Sequence, residues 1–216
     1  MLTAKGRATL LVSFLPVLLN RAFASNMTKT ALVAIADGSE EMEAVITIDV
    51  LRRAGISVTV GALSAGKLGD EARTVQCSRG VVIQADTVLS EATGEFDIVI
   101  LPGGLGGAKS FAGSPLIGHL LKKQEEAGRL IAAICAAPTA LKAHGIGSGK
   151  RITSYPSVSD EVKSGPYHYS EDRVVVDGHL ITSRGPGTAF EFALAIVKKM
   201  LGEEKMQQVA APLLLK

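Results

Sequence analysis

Four short stretches of the chain are apolar or nearly so, and each is closed by glycine, proline or a small residue. They are Thr30-Ala-Leu-Val-Ala-Ile-Ala36, Ser57 to Leu63, Asp97-Ile-Val-Ile-Leu101 and Leu130-Ile-Ala-Ala-Ile134. Runs of this length with little polar alternation are the pattern of strands covered on both faces in a parallel sheet. Val81 to Ile83 and Arg151 to Ser154 read as shorter strands. Arg173 to Ser183 reads as a β-hairpin with Asp177-Gly178 as a type I′ turn. Between the strands the apolar period changes to that of a helix. Glu40 to Ala54 predicts a helix with Val45, Ile46, Val50 and Leu51 inward, Ser39 as its N-cap and Gly55 as its stop. Leu116 to Ala127 predicts a second, with Leu116, Leu120 and Leu121 inward. A third follows Arg184-Gly-Pro-Gly-Thr188 and runs to about Met200, its period placing Phe190, Leu194 and Val197 on the buried face. Ser64 to Val75 is a Gly-rich, charged loop of no clear structure. Strand, helix and strand alternate, so the economical architecture is α/β: a doubly wound, mostly parallel sheet with helices on both faces and right-handed crossovers.

In such sheets ligands bind beyond the carboxyl ends of the strands, and one strand end carries unusual chemistry. Leu130 to Ile134 stops at Cys135, and a helix with Pro138 in its first turn begins at once. The serine of G-x-S-x-G hydrolases sits at the same kind of nucleophile elbow, with small residues two places to either side; Ala133 and Ala137 hold those places here. Unpaired N–H groups and the partial positive charge of the helix N-terminus favour a thiolate, which makes Cys135 a candidate nucleophile. The competing reading is a small buried hydrophobe. Glycines at 103, 104, 106 and 107 do not form a phosphate loop, because no G-K-[ST] follows and the G-x-G-x-x-G spacing is not met. Gly104 can instead offer an oxyanion N–H, or serve only in a strand-to-helix turn.

Composition narrows the function classes. The chain has 216 residues, enough for one sizeable α/β domain, which we place at residues 27–216. Its formal charge is +2, but Lys5, Arg7 and Arg21 lie in the first 26 residues; without them 20 basic side chains face 21 acidic ones. That balance, with few aromatics and no Trp, argues against a nucleic-acid surface. Two cysteines, Cys77 and Cys135, form neither a disulfide framework nor a zinc site. Residues 1–26 read as a targeting leader or extension: acid-free, basic, then apolar from Ala8 to Leu19, and too short for a permanent membrane span. The pattern fits a mitochondrial presequence, a secretory signal cleaved near Ala22-Phe23-Ala24, or a cytoplasmic form starting at Met27.

Four motifs carry a resemblance. Ala31 to Glu43 (ALVAIADGSEEME), Leu101-Pro-Gly-Gly104, Ala132 to Thr139 (AAICAAPT) and Thr182 to Leu194 (TSRGPGTAFEFAL) resemble the ThiJ/PfpI superfamily, and more narrowly its animal Parkinsonism-associated deglycase branch, from about Thr30 to Lys216. The resemblance implies a flavodoxin-like homodimer without cofactor or metal, with Cys135 as reactive cysteine and Glu43 as partner carboxyl. It further implies oxyanion amides at Gly104 and Ala136, and Arg53 and Arg79 close to the subunit interface. Read without the resemblance, a Glu in the first turn of a helix is a solvated charge; with it, Glu43 is a protonated donor to the sulfur. The chain departs from the branch in the leader, in a longer loop between Leu63 and Cys77, and at the active-site histidine, where Ser154-Tyr155-Pro156 replaces Thr-His-Pro. His168 lies near a second family histidine but is displaced, with Pro166 nearer its place. The expected function is protection against oxidative stress through oxidation of Cys135 to sulfinate by peroxide. The alternatives are a glyoxalase or deglycase acting on methylglyoxal and similar small aldehydes, weakened by Tyr155, and a dimeric chaperone-like protein with a vestigial site.

Overall fold

The computed structural model describes residues 28–64 and 66–215; the leader read at residues 1–26 lies outside them. Along the chain run β1 (Thr30–Ile35), α1 (Glu41–Arg53), β2 (Ser57–Ala62), β3 (Thr74–Gln76), β4 (Val82–Gln84), β5 (Thr87–Val88), β6 (Ile98–Leu101), α2 (Leu105–Ala112), α3 (Pro115–Glu126), β7 (Leu130–Ile134), α4 (Pro138–His144), β8 (Arg151–Ile152), α5 (Ser159–Lys163), β9 (His168–Tyr169), β10 (Val174–Asp177), β11 (Leu180–Ser183), α6 (Ala189–Leu201) and α7 (Glu203–Ala210). Seven strands form the central sheet in the order β10-β11-β7-β6-β1-β2-β5, with β3–β4 and β8–β9 as separate two-stranded ribbons. All pairs in the central sheet are parallel except β10–β11, so this is the doubly wound α/β architecture expected.

Side chains alternate across each strand, and the central strands use both faces. Ala31, Val33 and Ile35 of β1 join a core with Val50 and Leu51 of α1 and Phe192, Ile196 and Val197 of α6. Leu32 and Ala34 face the opposite way, onto Phe111 of α2, Ile117 and Leu121 of α3, and Leu141 of α4. Two apolar layers therefore clamp the sheet, which is why its strands read as unbroken apolar runs. The chain leaves β1 for β2 on one side and returns to β6 on the other, so the carboxyl ends of β1 and β6 diverge there. A crevice at such a switch point is where α/β sheets place their sites.

Several expectations are corrected. The N-cap of α1 is Glu40, whose carboxylate accepts from the Glu43 N–H at 2.8 Å, while Ser39 Oγ turns back to accept from the Ala36 N–H. The inward stripe of α1 is Glu43, Ala44, Thr47, Val50 and Leu51, and Val45, about a quarter turn away, is exposed. In α3 the stripe is Ile117, Leu121 and Gln124; Leu116, one residue ahead of it, faces solvent. The α6 stripe is Ala189, Phe192, Ala193, Ile196 and Val197, so Phe190 and Leu194 flank it, half-buried. The loop between Ser64 and Val75 holds a 3-10 turn at Gly69–Arg73 and the first residues of β3, which pairs with β4. The hairpin pairs Asp177 with Leu180, so its loop residues are Gly178 and His179 rather than Asp177 and Gly178. Positive φ occurs there at Gly178 and not at His179, as in a type II′ turn. The short helices α2, α5 and α7 and the two-residue strands β5 and β9 have no counterpart in the sequence pattern.

Candidate functional site

Cys135 stands at the carboxyl end of β7 with φ of 64°, one of two non-glycine residues with positive φ among those described. The conformation costs about 1–3 kcal/mol and persists only where its surroundings hold it. Both sides of the peptide are held: the Cys135 N–H donates to the Ser183 carbonyl at 2.9 Å and the Cys135 carbonyl accepts from the Tyr155 N–H at 2.8 Å. The result is the elbow read from the sequence, with the N–H groups of Gly104 and Ala136 facing the sulfur.

Glu43 approaches from α1. Its side chain is fully buried, and Oε2 accepts from the Gly103 N–H at 2.7 Å. Oε1 has no partner of full hydrogen-bond geometry, while the carboxyl couples to the Cys135 thiol through a looser contact. Gly103 makes the meeting possible, since a Cβ there would lie 2.6 Å from Glu43 Oε2 and 2.8 Å from the Ile134 carbonyl. Gly104 has φ of 83° and carries its N–H toward the sulfur past the backbone of Gly38 to Glu40, leaving no room for a side chain. The Glu40 N–H donates to the Gly103 carbonyl at 3.0 Å, so the start of α1 and the end of β6 are tied directly.

Burial raises the Glu43 carboxyl to about 7 against the pull of the Gly103 N–H. The thiol is pushed up to about 12, first by burial and then by the charge of an ionised Glu43, while the Gly104 and Ala136 amides pull it down. The helix-terminus argument for a thiolate is therefore incomplete: Cys135 and Glu43 titrate as a pair. An ionised Glu43 keeps the thiol protonated; when Glu43 holds the proton that repulsion is gone, and the sulfur has two amide donors and a cavity in front of it. Thiolate formation thus depends on a proton held by Glu43.

The sign has two measurable consequences. Glu43→Gln weakens the donor facing the sulfur, so the Cys135 midpoint in a thiolate-absorbance titration is expected to rise modestly; a falling midpoint would mean that Glu43 is ionised beside the thiol. A raised carboxyl pKa also means that folding takes up a proton between the unfolded value near 4.5 and the folded value near 7. Stability from this group is therefore present at the acid end of that window and lost as pH rises through it, a slope that Glu43→Gln is expected to remove from chemical denaturation midpoints.

The sulfur opens into a cavity of about 650 Å³ lined by Met42, Arg79, Leu105, Tyr155 and Pro186 among others. Cys135 itself retains 7% exposure. Cys77 is buried near Asp37, Glu40 and Glu41; burial first and then those carboxylates push its thiol up to about 11, and among the described residues no amide donor pulls against them as Gly104 and Ala136 do at Cys135. Arg79 lines the cavity, with its N–H donating to Glu41 at 2.8 Å. Arg53 is not brought there; it pairs with Asp49 on the exposed side of α1 at 2.6 Å. Tyr155 forms a wall of the cavity, whereas His168 is exposed on β9 with its N–H on the Lys150 carbonyl. None of the chain's four histidines lines this cavity. Gly103, Ser183 and the Tyr155 N–H were missed as site-builders. Gly103 was legible from Leu101-Pro-Gly-Gly104, where a second glycine beside Gly104 marks two surfaces too close for side chains. Among the described residues no His, Cys, Asp and Glu cluster is arranged to hold a metal, and no helix is long and apolar enough to cross a membrane.

A mostly parallel α/β sheet with a cysteine elbow, a buried carboxyl and two converging amides at its carboxyl edge defines a flavodoxin-like protein with a candidate cysteine site. The profile of the DJ-1/PfpI family matches residues 29–199, and the chain belongs to that family. It is 55% identical over 190 residues to Protein dj-1beta of Drosophila melanogaster, covering 87% of this chain and 98% of that one. The crystal structure of that Drosophila protein superposes with a TM-score of 0.82 at 54% identity, covering 88% of this chain and all of the other. The Parkinson disease protein 7 homolog of Danio rerio is 54% identical, with coverage of 87% and 98%. A Caenorhabditis elegans relative named glutathione-independent glyoxalase DJR-1.2 is 43% identical, covering 87% of this chain and 97% of its own.

Proposed function

We propose that the protein is a peroxide-responsive cysteine protein that protects cells against oxidative stress, with Cys135 as the oxidised residue. The observation that carries this reading is the buried Glu43 carboxyl, its Oε1 unpartnered, set beside a sulfur that two amides also face. Thiolate attacks peroxide to give sulfenate and water, and a second peroxide gives sulfinate and a second water. Sulfinate carries two oxygens that need donors. The Gly104 and Ala136 amides and the proton on Glu43 supply three, which favours arrest at this stage before sulfonate. Graded peroxide followed by peptide mass spectrometry is expected to show Cys135 gaining two oxygens while Cys77 stays reduced. Equal oxidation of both, or earlier oxidation of Cys77, would overturn the assignment.

A homodimer belongs to the same proposal. Met42 and Val45 of α1 and Val81 and Val82 of the β3–β4 ribbon are exposed apolar side chains beside the elements that carry Arg53 and Arg79, and sedimentation equilibrium reads the mass directly. Residence in the cytoplasm or mitochondrion is likewise proposed, from the composition of residues 1–26, and imaging of tagged full-length and Met27-start forms tests it. A second reading has one observation in its favour: the relative named as a glyoxalase. In that reading the thiolate adds to the aldehyde carbon of methylglyoxal, and turnover to lactate distinguishes it.

A further inference from the structure

The cavity in front of Cys135 is bordered at Tyr155 and Pro186 by another. A second groove of about 320 Å³, lined by Arg173, Arg184 and the Gly185–Thr188 turn, shares Tyr155 and Pro186 with the Cys135 cavity. Two arginines along these spaces lack the carboxylate partner that the others have. Of the eight arginines among the described residues, six lie within 4.0 Å of a carboxylate, and the two that do not are Arg79 and Arg184. Arg79 lines the Cys135 cavity and Arg184 the adjoining groove.

The two arginines are not equivalent. Glu40 lines the same cavity as Arg79 and offsets it. In the groove, Arg173 is held by both oxygens of Glu191 at 2.7–3.0 Å, which cancels its charge and leaves Arg184 as the uncompensated cation. Arg184 Nη1 donates to the Glu171 carbonyl at 2.9 Å, and no carboxylate or other acceptor takes its Nε or Nη2 among the described residues. One edge of the guanidinium is thus anchored and the rest of the fork is available. That fork matches a carboxylate or phosphate through two parallel hydrogen bonds, and a concave, otherwise neutral wall concentrates its field.

We propose that Arg184 binds the anionic end of an electrophile whose reactive carbon is presented to Cys135, so that the carbonyl compounds this protein meets most readily carry a carboxylate or a phosphate. The proposal rests on Cys135 being reactive, as argued above, and adds the substrate class. Tyr155, standing between the two spaces, then forms the wall along which the body of the substrate lies.

Two thiol probes of similar shape test it: N-ethylmaleimide, which is neutral, and 3-maleimidopropionate, which carries a carboxylate. Rate constants for Cys135 labelling are read by peptide mass spectrometry. Arg184→Gln is expected to lower the rate of the anionic probe relative to the neutral one about fivefold or more, the size of one unit-charge contact at about 4 Å screened as in bulk water. Arg184→Lys, which keeps the charge without the fork, should recover part of it. An unchanged ratio in Arg184→Gln overturns the proposal, as does an equal slowing of both probes, which marks a structural effect. Protection by inorganic phosphate and by acetate at matched ionic strength assigns the end group; stronger protection by phosphate points to phosphate esters and stronger protection by acetate to carboxylic acids. Protection by neither overturns the site. If Cys135 reacts with neither maleimide, the reactive-cysteine reading fails by itself. The anion site is then decided by melting in phosphate at constant ionic strength, where a rise in Tm lost in Arg184→Gln supports it and no rise overturns it.

Discussion

Leu194→Pro is expected to lower the melting temperature by about 10 °C or more, or to leave too little folded protein to melt. Leu194 lies near the middle of α6, where proline removes the hydrogen bond to the Phe190 carbonyl and drives its ring into the same turn. That costs about 3 kcal/mol or more, a large part of a typical domain's net stability of about 5–15 kcal/mol. The loss does not stay local. The residues flanking Leu194 carry Phe192, Ala193, Ile196 and Val197 into the core shared with α1, and α1 supplies Glu43. Circular dichroism and thermal melting of the variant decide the matter: a melt like that of the parent would show that α6 tolerates a break and that its packing is not what holds α1.

Tyr155→His is expected to raise methylglyoxal turnover by about tenfold or more from a weak or absent level, since general acid-base help is typically worth about 10² to 10⁴. Tyr155 lines the Cys135 cavity, is 42% exposed, and donates its own N–H to the Cys135 carbonyl, so a side chain at this position can reach the space before the sulfur. A phenol is a poor proton relay at neutral pH, whereas an imidazole is matched to it. Peroxide oxidation of Cys135 needs no such relay and is expected to survive the exchange. Brisk methylglyoxal turnover by the unaltered protein would refute this account. So would loss of peroxide sensitivity in the variant, because it would place the phenol in the thiolate's own environment.

Leu130 to Ile134, Cys135 and Pro138 were legible as strand, corner and helix because all three signals are local: apolar run, small neighbours, a proline tolerated in a first turn. The inward face of α1 was read one position wrong because apolar residues alone were counted. Stepping back seven residues from Val50 and Leu51 lands on Glu43 and Ala44, so the helical period already put the carboxyl on the buried stripe, against its polarity. The polarity argument failed because Gly103 supplies an N–H and Cys135 a sulfur that couples to the carboxyl, and neither is a neighbour in sequence. The same distinction explains α2. Its glycine-rich start contradicts local helix propensity and is accepted because Gly38 and Ser39 pack against Gly106 and Gly107 at distances that exclude a Cβ.

The sequence by itself determined the alternation of buried strands and helices, hence the doubly wound sheet, and through four motifs it determined the family and singled out Cys135 as the candidate nucleophile. These are properties of periodicity and of short segments, which survive without knowledge of what lies across the fold. Tertiary structure decided the state of the chemistry: that Glu43 is buried and coupled to Cys135, that Tyr155 lines the cavity while His168 stands outside it, and that Arg184 is a cation without a carboxylate partner in a groove adjoining the site. Each of these depends on which charges, amides and solvent surround a group, and such surroundings arise only when segments distant in sequence pack together and change the local dielectric and its donors.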